Sequence, residues 1–206
     1  LRTDGTFIEV SSGARSAPIH WRCSSHGEPN YEDHPVGFNA NNEYFDEADV
    51  RRAAYWAVFS GACGHTYGNH NIWSMNTTSE PYFPMTWKEA LFRPGASQLK
   101  YLKSLIESRP FFERIPAQDI LEENYTGAHH MRATRGERYA FIYSPSGLKI
   151  KARSGILNGT KVLAQWYNPR TGEFSRIGEY ENKGCIDFMP PSRGRGDDWV
   201  LVLDAV

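Results

Sequence analysis

The hydrophobic period changes near residue 118, and that change constrains the fold more than any other feature of the chain. Upstream, apolar residues recur at helical spacing. In "DEADVRRAAYWAVFSGAC" (46–63), Val50, Ala53, Ala54, Ala57, Val58 and Gly61 share one face. Asp46 or Asp49 can cap the start, and Arg51 and Arg52 fall on the opposite side. "TWKE" (86–89) has capping-box spacing, with a short helical turn after it that breaks at Pro94 and Gly95. A second helix is predicted from Ala96 to Ser108, with Leu99, Leu102 and Ile106 as its buried stripe and Leu105 beside them. Downstream the period is two. Strands are predicted at His130 to Thr134, Tyr139 to Tyr143, Leu148 to Ala152, Val162 to Tyr167, Glu173 to Ile177, Cys185 to Phe188 and Trp199 to Leu203. "SPSG", "NG" and "NPRTG" supply turns between them. Short strands at near-regular spacing imply an antiparallel β-sandwich. The chain therefore divides into an unmatched segment (1–23, with one possible strand at "TFIEV"), an α/β half (24–117) and an all-β half (118–206).

Composition narrows the class of function. Of 206 residues, 23 are Lys or Arg and 24 are Asp or Glu, so no basic excess points to nucleic acid or an anionic membrane. No apolar run approaches the roughly eighteen residues of a membrane span. Aromatic residues reach 14%, which suits either sugar-stacking surfaces or a β-sandwich core. Cys23, Cys63 and Cys185 are odd in number and widely spaced, which argues against a disulfide framework and against a structural zinc site. No signal peptide opens the sequence, "LRTDGTFIEV".

Titratable residues concentrate just before the first helix and just after the next strand. "CSSHGEPNYEDHP" (23–35) sets His26, Glu28, Glu32, Asp33 and His34 between Gly27, Pro29 and Pro35, with no helix or strand period. "GHTYGNHNIW" (64–73) reads as a short strand running into a loop. In a β/α barrel, chemistry sits at the carboxyl ends of strands, where both segments would fall. A whole barrel takes about 250 residues. The α/β half has about 94, room for roughly three β/α units, so it cannot close a barrel alone. His65 and His70 are five apart and match no metal motif of settled mechanism, so neither a metal nor another cofactor is expected.

"GEPNYE" followed by "VRRAAYWAVFSGACGHTYGNHNIW" resembles the end of the catalytic barrel in the apiosidase-like glycoside hydrolases (glycoside hydrolase family 140 and its relatives). "WKEAL", "PGASQL", "AQWYNPRTGE" and "DWVLVLD" follow in the order that family has, ending in a β-sandwich that carries a collagen-binding label. The resemblance covers about residues 27–206. It implies the C-terminal portion of a (β/α)8 barrel followed by an antiparallel β-sandwich. It also implies that barrel strands 1 to 6, with the general acid at the end of strand 4, belong to a missing segment or partner chain.

By the same resemblance, Glu28 is the nucleophile of a retaining hydrolase, with Tyr31 and Glu32 as candidates to orient it. Read from composition alone, Glu28 is a solvated loop carboxylate, and Asp33 reads as plain surface. His65, Tyr67, Asn69, His70 and Trp73 suit a sugar subsite, since amides and imidazoles bond hydroxyls and an indole stacks on a pyranose. For His65 a buried structural role, and for Trp73 a core or barrel-rim role, stand beside that reading. The implied activity is cleavage of glycosidic bonds in a complex polysaccharide, expected to be plant cell wall, by a secreted or periplasmic protein. A non-catalytic carbohydrate- or matrix-binding module, or a truncated inactive product, is the alternative.

Overall fold

The computed structural model describes residues 25–27 and 29–206, with side chains described from residue 29 onward. It is a mixed helix-and-sheet fold. Strand β1 (Ser25–Gly27) lies parallel to β2 (Gly64–Thr66), with His26 opposite His65. Parallel neighbours need a crossover, and here it contains α1 (Glu47–Phe59). Asp46 caps that helix: its carboxylate accepts from the Ala48 amide at 2.9 Å, and Asp49 reaches back to the Asp46 amide at 3.2 Å. Beyond β2 come α2 (His70–Ser74), α3 (Trp87–Ala90) and α4 (Pro94–Glu107). The capping box at Thr86 and Glu89 forms as its spacing predicts. α4 starts two residues earlier than predicted, because Pro94 is itself well suited to the first turn.

The remaining strands are β3 (Ile115–Pro116), β4 (Arg132–Arg135), β5 (Tyr139–Ser144), β6 (Ile150–Arg153), β7 (Lys161–Tyr167), β8 (Phe174–Glu181), β9 (Cys185–Phe188) and β10 (Trp199–Ala205). Six of them form one antiparallel sheet in the order β3-β4-β5-β10-β7-β8, while β6 and β9 pair separately. β10, the latest in sequence, sits at the centre between β5 and β7.

Both faces of the large sheet are covered, so its central strands are apolar on both sides. All six residues of β5 are buried. Tyr139, Phe141, Tyr143, Tyr167, Val200 and Val202 pack on Ala54, Tyr55, Val58 and Phe59 of α1 and on Leu102 and Leu105 of α4. Ala140, Ile142, Leu201 and Leu203 point the other way, against Ile150, Ala152 and Phe188 of the β6–β9 pair. Trp166 and Tyr167 accordingly face opposite cores, as alternation requires. The strand β8 is an edge, half-exposed and charged.

Arg51 departs from its predicted place. Only 1% exposed, it faces the sheet rather than solvent. Its Nη2 lies 2.8 Å from Asp198 Oδ1 and its Nε 3.1 Å from Oδ2, a bidentate pair linking α1 to the start of β10. The Tyr143 hydroxyl donates to the same carboxylate at 3.1 Å, and Arg170 contributes an N–H at 3.2 Å. The helical face was read from apolar spacing, which carries no sign of a partner 147 residues away. Arg195, in the "RGD" of the 190–199 loop, donates to Asp46 and to Asp49 (2.8 Å) and straps that loop to the cap of α1. Cys63 is disulfide-bonded and Cys185 is free and exposed, so the cysteine count concealed a bond.

Removing one partner of a buried, hydrogen-bonded pair strands the other charge. Asp198→Ala is therefore expected to destabilise the fold by about 3–5 kcal/mol in urea denaturation. Lys149→Ala, which breaks an exposed pair with Asp187, is expected to leave the midpoint in place. Equal midpoints for the two variants would show that the Arg51–Asp198 pair carries no such weight.

Candidate active site

Because β1 and β2 are parallel, their carboxyl ends open on the same side, and the chain leaves each as a polar loop. Glu28, the residue after Gly27, lies outside the described residues, as does the strand expected at Thr6 to Val10. The loop from Pro29 onward is held against the end of β2 by backbone. The Glu32 amide donates to Gly68 O at 3.0 Å, and the His70 amide donates to Glu32 O at 2.9 Å. The Tyr31 ring covers Gly68 so closely that a Cβ there would lie 2.5 Å from Tyr31 Cε1.

Glu32 and Asp33 form the polar centre of this arrangement. Glu32 is 0% exposed. The Tyr67 hydroxyl donates to its Oε2 at 2.5 Å, and the Gly95 amide, at the start of α4, donates to its Oε1 at 3.2 Å. Burial raises the Glu32 pKa, against the lowering effect of those two donors. Burial and, after it, the bond to Glu32 push the Tyr67 phenol well up, so it stays a donor. A carboxylate so enclosed has its contacts inside the protein. It fixes the tyrosine and docks α4.

Asp33 is not the surface residue that its sequence context suggested: it is 3% exposed, with a left-handed φ of 66°. Its Oδ2 accepts from Asn69 Nδ2 at 2.9 Å and from Asn71 Nδ2 at 3.3 Å. Arg93 reaches Asp33 Oδ1 at 2.7 Å and Glu32 Oε1 at 3.8 Å, so one half-buried guanidinium serves both carboxylates. Arg93 did not stand out in the sequence, and Gly95 stood out only as a break before the helix predicted from Ala96.

The other candidates separate. Asn69 caps α2, its Oδ1 accepting from the Asn71 and Ile72 amides at 2.9 and 3.1 Å. His70 is buried, stacked on Phe83 with ring centroids 4.5 Å apart, its Nε2 3.1 Å from Tyr82 O. It also meets His34 edge-on at 4.6 Å. The side chains of Asn69 and His70 are thus engaged inside the protein. His65 is half-buried and lines a groove of about 370 Å³ with Leu99, Ile106 and Phe111, along α4. Trp73 is 70% exposed on α2, its indole open to solvent. Among the described residues no cluster of His, Cys, Asp or Glu could hold a metal ion, and no helix is long and apolar enough to cross a membrane.

Residues 15–113 match a family model described as "Apiosidase-like, catalytic domain", and residues 115–204 match one described as "Putative collagen-binding domain of a collagenase". No curated protein matches the chain. A solved structure described as "Glycoside hydrolase" is 36% identical with a TM-score of 0.83, over 88% of this chain and 42% of its own. A glycoside hydrolase family 5 structure from Bacteroides vulgatus ATCC 8482 is 35% identical with a TM-score of 0.80, over 85% of this chain and 40% of its own. The chain thus spans about two fifths of the length of these structures.

Two measurements probe the knot behind the site. At Gly95 an added Cβ would sit 2.4 Å from Glu32 Oε2 and 2.8 Å from Val50 Cγ2. Gly95→Ala is therefore expected to destabilise by about 1–3 kcal/mol, and an unchanged melting curve would show that the helix docks without this close approach. Burial lowers the pKa of both His34 and His70, and their mutual proximity lowers His70 further. The unfolded chain then binds protons that the folded chain refuses. Stability is complete above about pH 6.5 and is lost as pH falls toward the lower folded values. His70→Gln should flatten the fall in melting temperature on that acid side, and an equally steep fall would assign it to other groups.

Proposed function

We propose, since this chain belongs to the apiosidase-like glycoside hydrolases, that it forms the closing part of a hydrolase barrel with Glu28 as nucleophile. The parallel β1–α1–β2 unit is the observation that carries the reading, because it turns two polar loops toward one side. In sequence Glu28 follows the last residue of β1 directly. The neighbouring carboxylate, Glu32, is wholly enclosed by Tyr67, Gly95 and Arg93. That favours Glu28 as the group facing substrate.

In a retaining reaction the Glu28 carboxylate attacks the anomeric carbon, and a second carboxyl about 5–5.5 Å away protonates the leaving oxygen. Water then displaces the sugar from the enzyme, with the second group acting as base. That second carboxyl belongs to the remaining barrel, for which β2 and the groove beside His65 and α4 offer a seat. Trp73 would stack on a sugar ring, and Tyr67 would present a hydroxyl fixed by Glu32. The large sheet with β6–β9 against it is read as the trailing sandwich, bracing α1 and α4. The substrate is a complex polysaccharide such as plant cell wall. A disulfide at Cys63 suits a secreted or periplasmic setting.

In the protein that carries this chain, Glu28→Gln is expected to lower kcat on an aryl glycoside by at least about a thousandfold, with sugar binding retained. Proton NMR of early product should show the anomer of the substrate. Turnover close to the parent's would remove Glu28 from the chemistry, and the opposite anomer would exclude retention.

A further inference from the structure

We propose that the cleft between the start of α1 and the loops of the large sheet is a second carbohydrate subsite, taking an uncharged sugar unit of the polysaccharide. The cleft holds about 300 Å³, at the small end of the range for small-molecule sites. Its walls come from both halves of the chain: Glu43, Tyr44, Phe45 and Arg52 on one side, His129 and Arg195 on the other.

Most of the charges in it are already paired, two arginines sharing Asp49, while Glu43 makes no ion pair among the described residues. Arg52 Nη2 lies 2.8 Å from Asp49 Oδ1, and Arg195 Nη2 lies 2.8 Å from Asp49 Oδ2 while its Nη1 pairs with Asp46. Asp198, at the floor, is already taken by Arg51. Three lining carboxylates face two guanidiniums, so an anionic ligand gains no net attraction here, and Glu43 is left as an acceptor for a hydroxyl. A hydroxyl, both donor and acceptor, can use guanidinium edges and carboxylate oxygens together.

The remaining groups are fixed in advance. Ser146 Oγ holds His129 Nδ1 at 2.8 Å, which leaves Nε2 for a ligand. The Tyr44 hydroxyl donates to Ala40 O at 3.3 Å and also to Pro81 O, which immobilises its ring beside Phe45. Aromatic surface among prepaired polar groups suits a ring with an apolar face and a rim of hydroxyls, and prior ordering spares part of the entropy cost of binding.

The cleft also lies where a polymer could reach it. α1 returns between two parallel strands, so its first turn is at their carboxyl ends. The wall from Val36 to Asp49 belongs to the same connection that leaves β1. That a single polysaccharide would extend from the active centre into the cleft rests on the Glu28 reading. The cleft's affinity for sugar does not.

Titration calorimetry on the protein that carries this chain tests the assignment. The probes are neutral tetrasaccharides of xylose, arabinose, galactose or glucose, and trigalacturonate as the charged comparison. At least one neutral probe is expected to bind, and His129→Ala and Glu43→Gln, both at exposed positions, should each raise its Kd about five- to tenfold. Hydrolysis of a short aryl glycoside should be unchanged in both variants, while KM for polymer rises. Absence of binding by every neutral probe, tighter binding of trigalacturonate, or a Kd indifferent to both substitutions would overturn the proposal. Loss of the Glu28 reading would appear in the aryl glycoside assay instead, so the two can fail separately.

Discussion

The buried pair between Arg51 and Asp198 decides how the two halves of this chain meet. Each side chain is 2% exposed, so both charges have left water, and desolvation alone would make the contact unfavourable. What makes it tenable is saturation. Asp198 also receives the Tyr143 hydroxyl and an Arg170 N–H, and Arg51 also donates to Gln98 of α4 and to Gly196 O. Those partners come from α4, β5, the turn between β7 and β8 and the loop before β10. Aromatic stacking of Tyr55 on Tyr143, 4.6 Å apart, would tolerate sliding along the sheet, whereas a fork of hydrogen bonds would not. The apolar faces supply most of the attraction and the ion pair fixes the register.

The same arrangement recurs, smaller, behind the candidate site. Arg93 faces Glu32 and Asp33 as Arg51 faces Asp198, and each guanidinium ties a helix to a distant segment. Glu32 receives two donors and one distant cation, and burial still raises its pKa. It therefore acts through geometry: it holds Tyr67 and receives the amide end of α4. Rigid support of this kind fixes a loop that alone would place its side chains poorly.

Much of the fold was legible in the sequence because local rules governed it. Short apolar or alternating runs between turn signals located each strand of the all-β half, Cys185–Phe188 to the residue, and the Asp46 and Thr86 caps followed from spacing. α2 escaped, since five residues after an Asn cap make no period. The site was less legible. Acidic loop residues are usually solvated, so Asp33 read as surface, and nothing in the sequence brings Arg93 to it. His70 and Asn69 looked like sugar ligands by residue type, yet a buried stack and a helix cap occupy them. Residue type reports what a side chain can do, and only its neighbours decide what it does.

The place of β10 in the sheet bears on how the protein is made. β5 and β7 flank a gap that only the later strand can fill, and each pairs with it rather than with the other. On a ribosome, the apolar faces of β5 and β7 emerge before their common partner exists. Until then they are open edges, prone to join those of another nascent chain. Asp198, one residue ahead of β10, arrives at the same moment. Closure of the sheet and neutralisation of Arg51 are therefore one late event, and a nascent chain halted before it should be a client for chaperones.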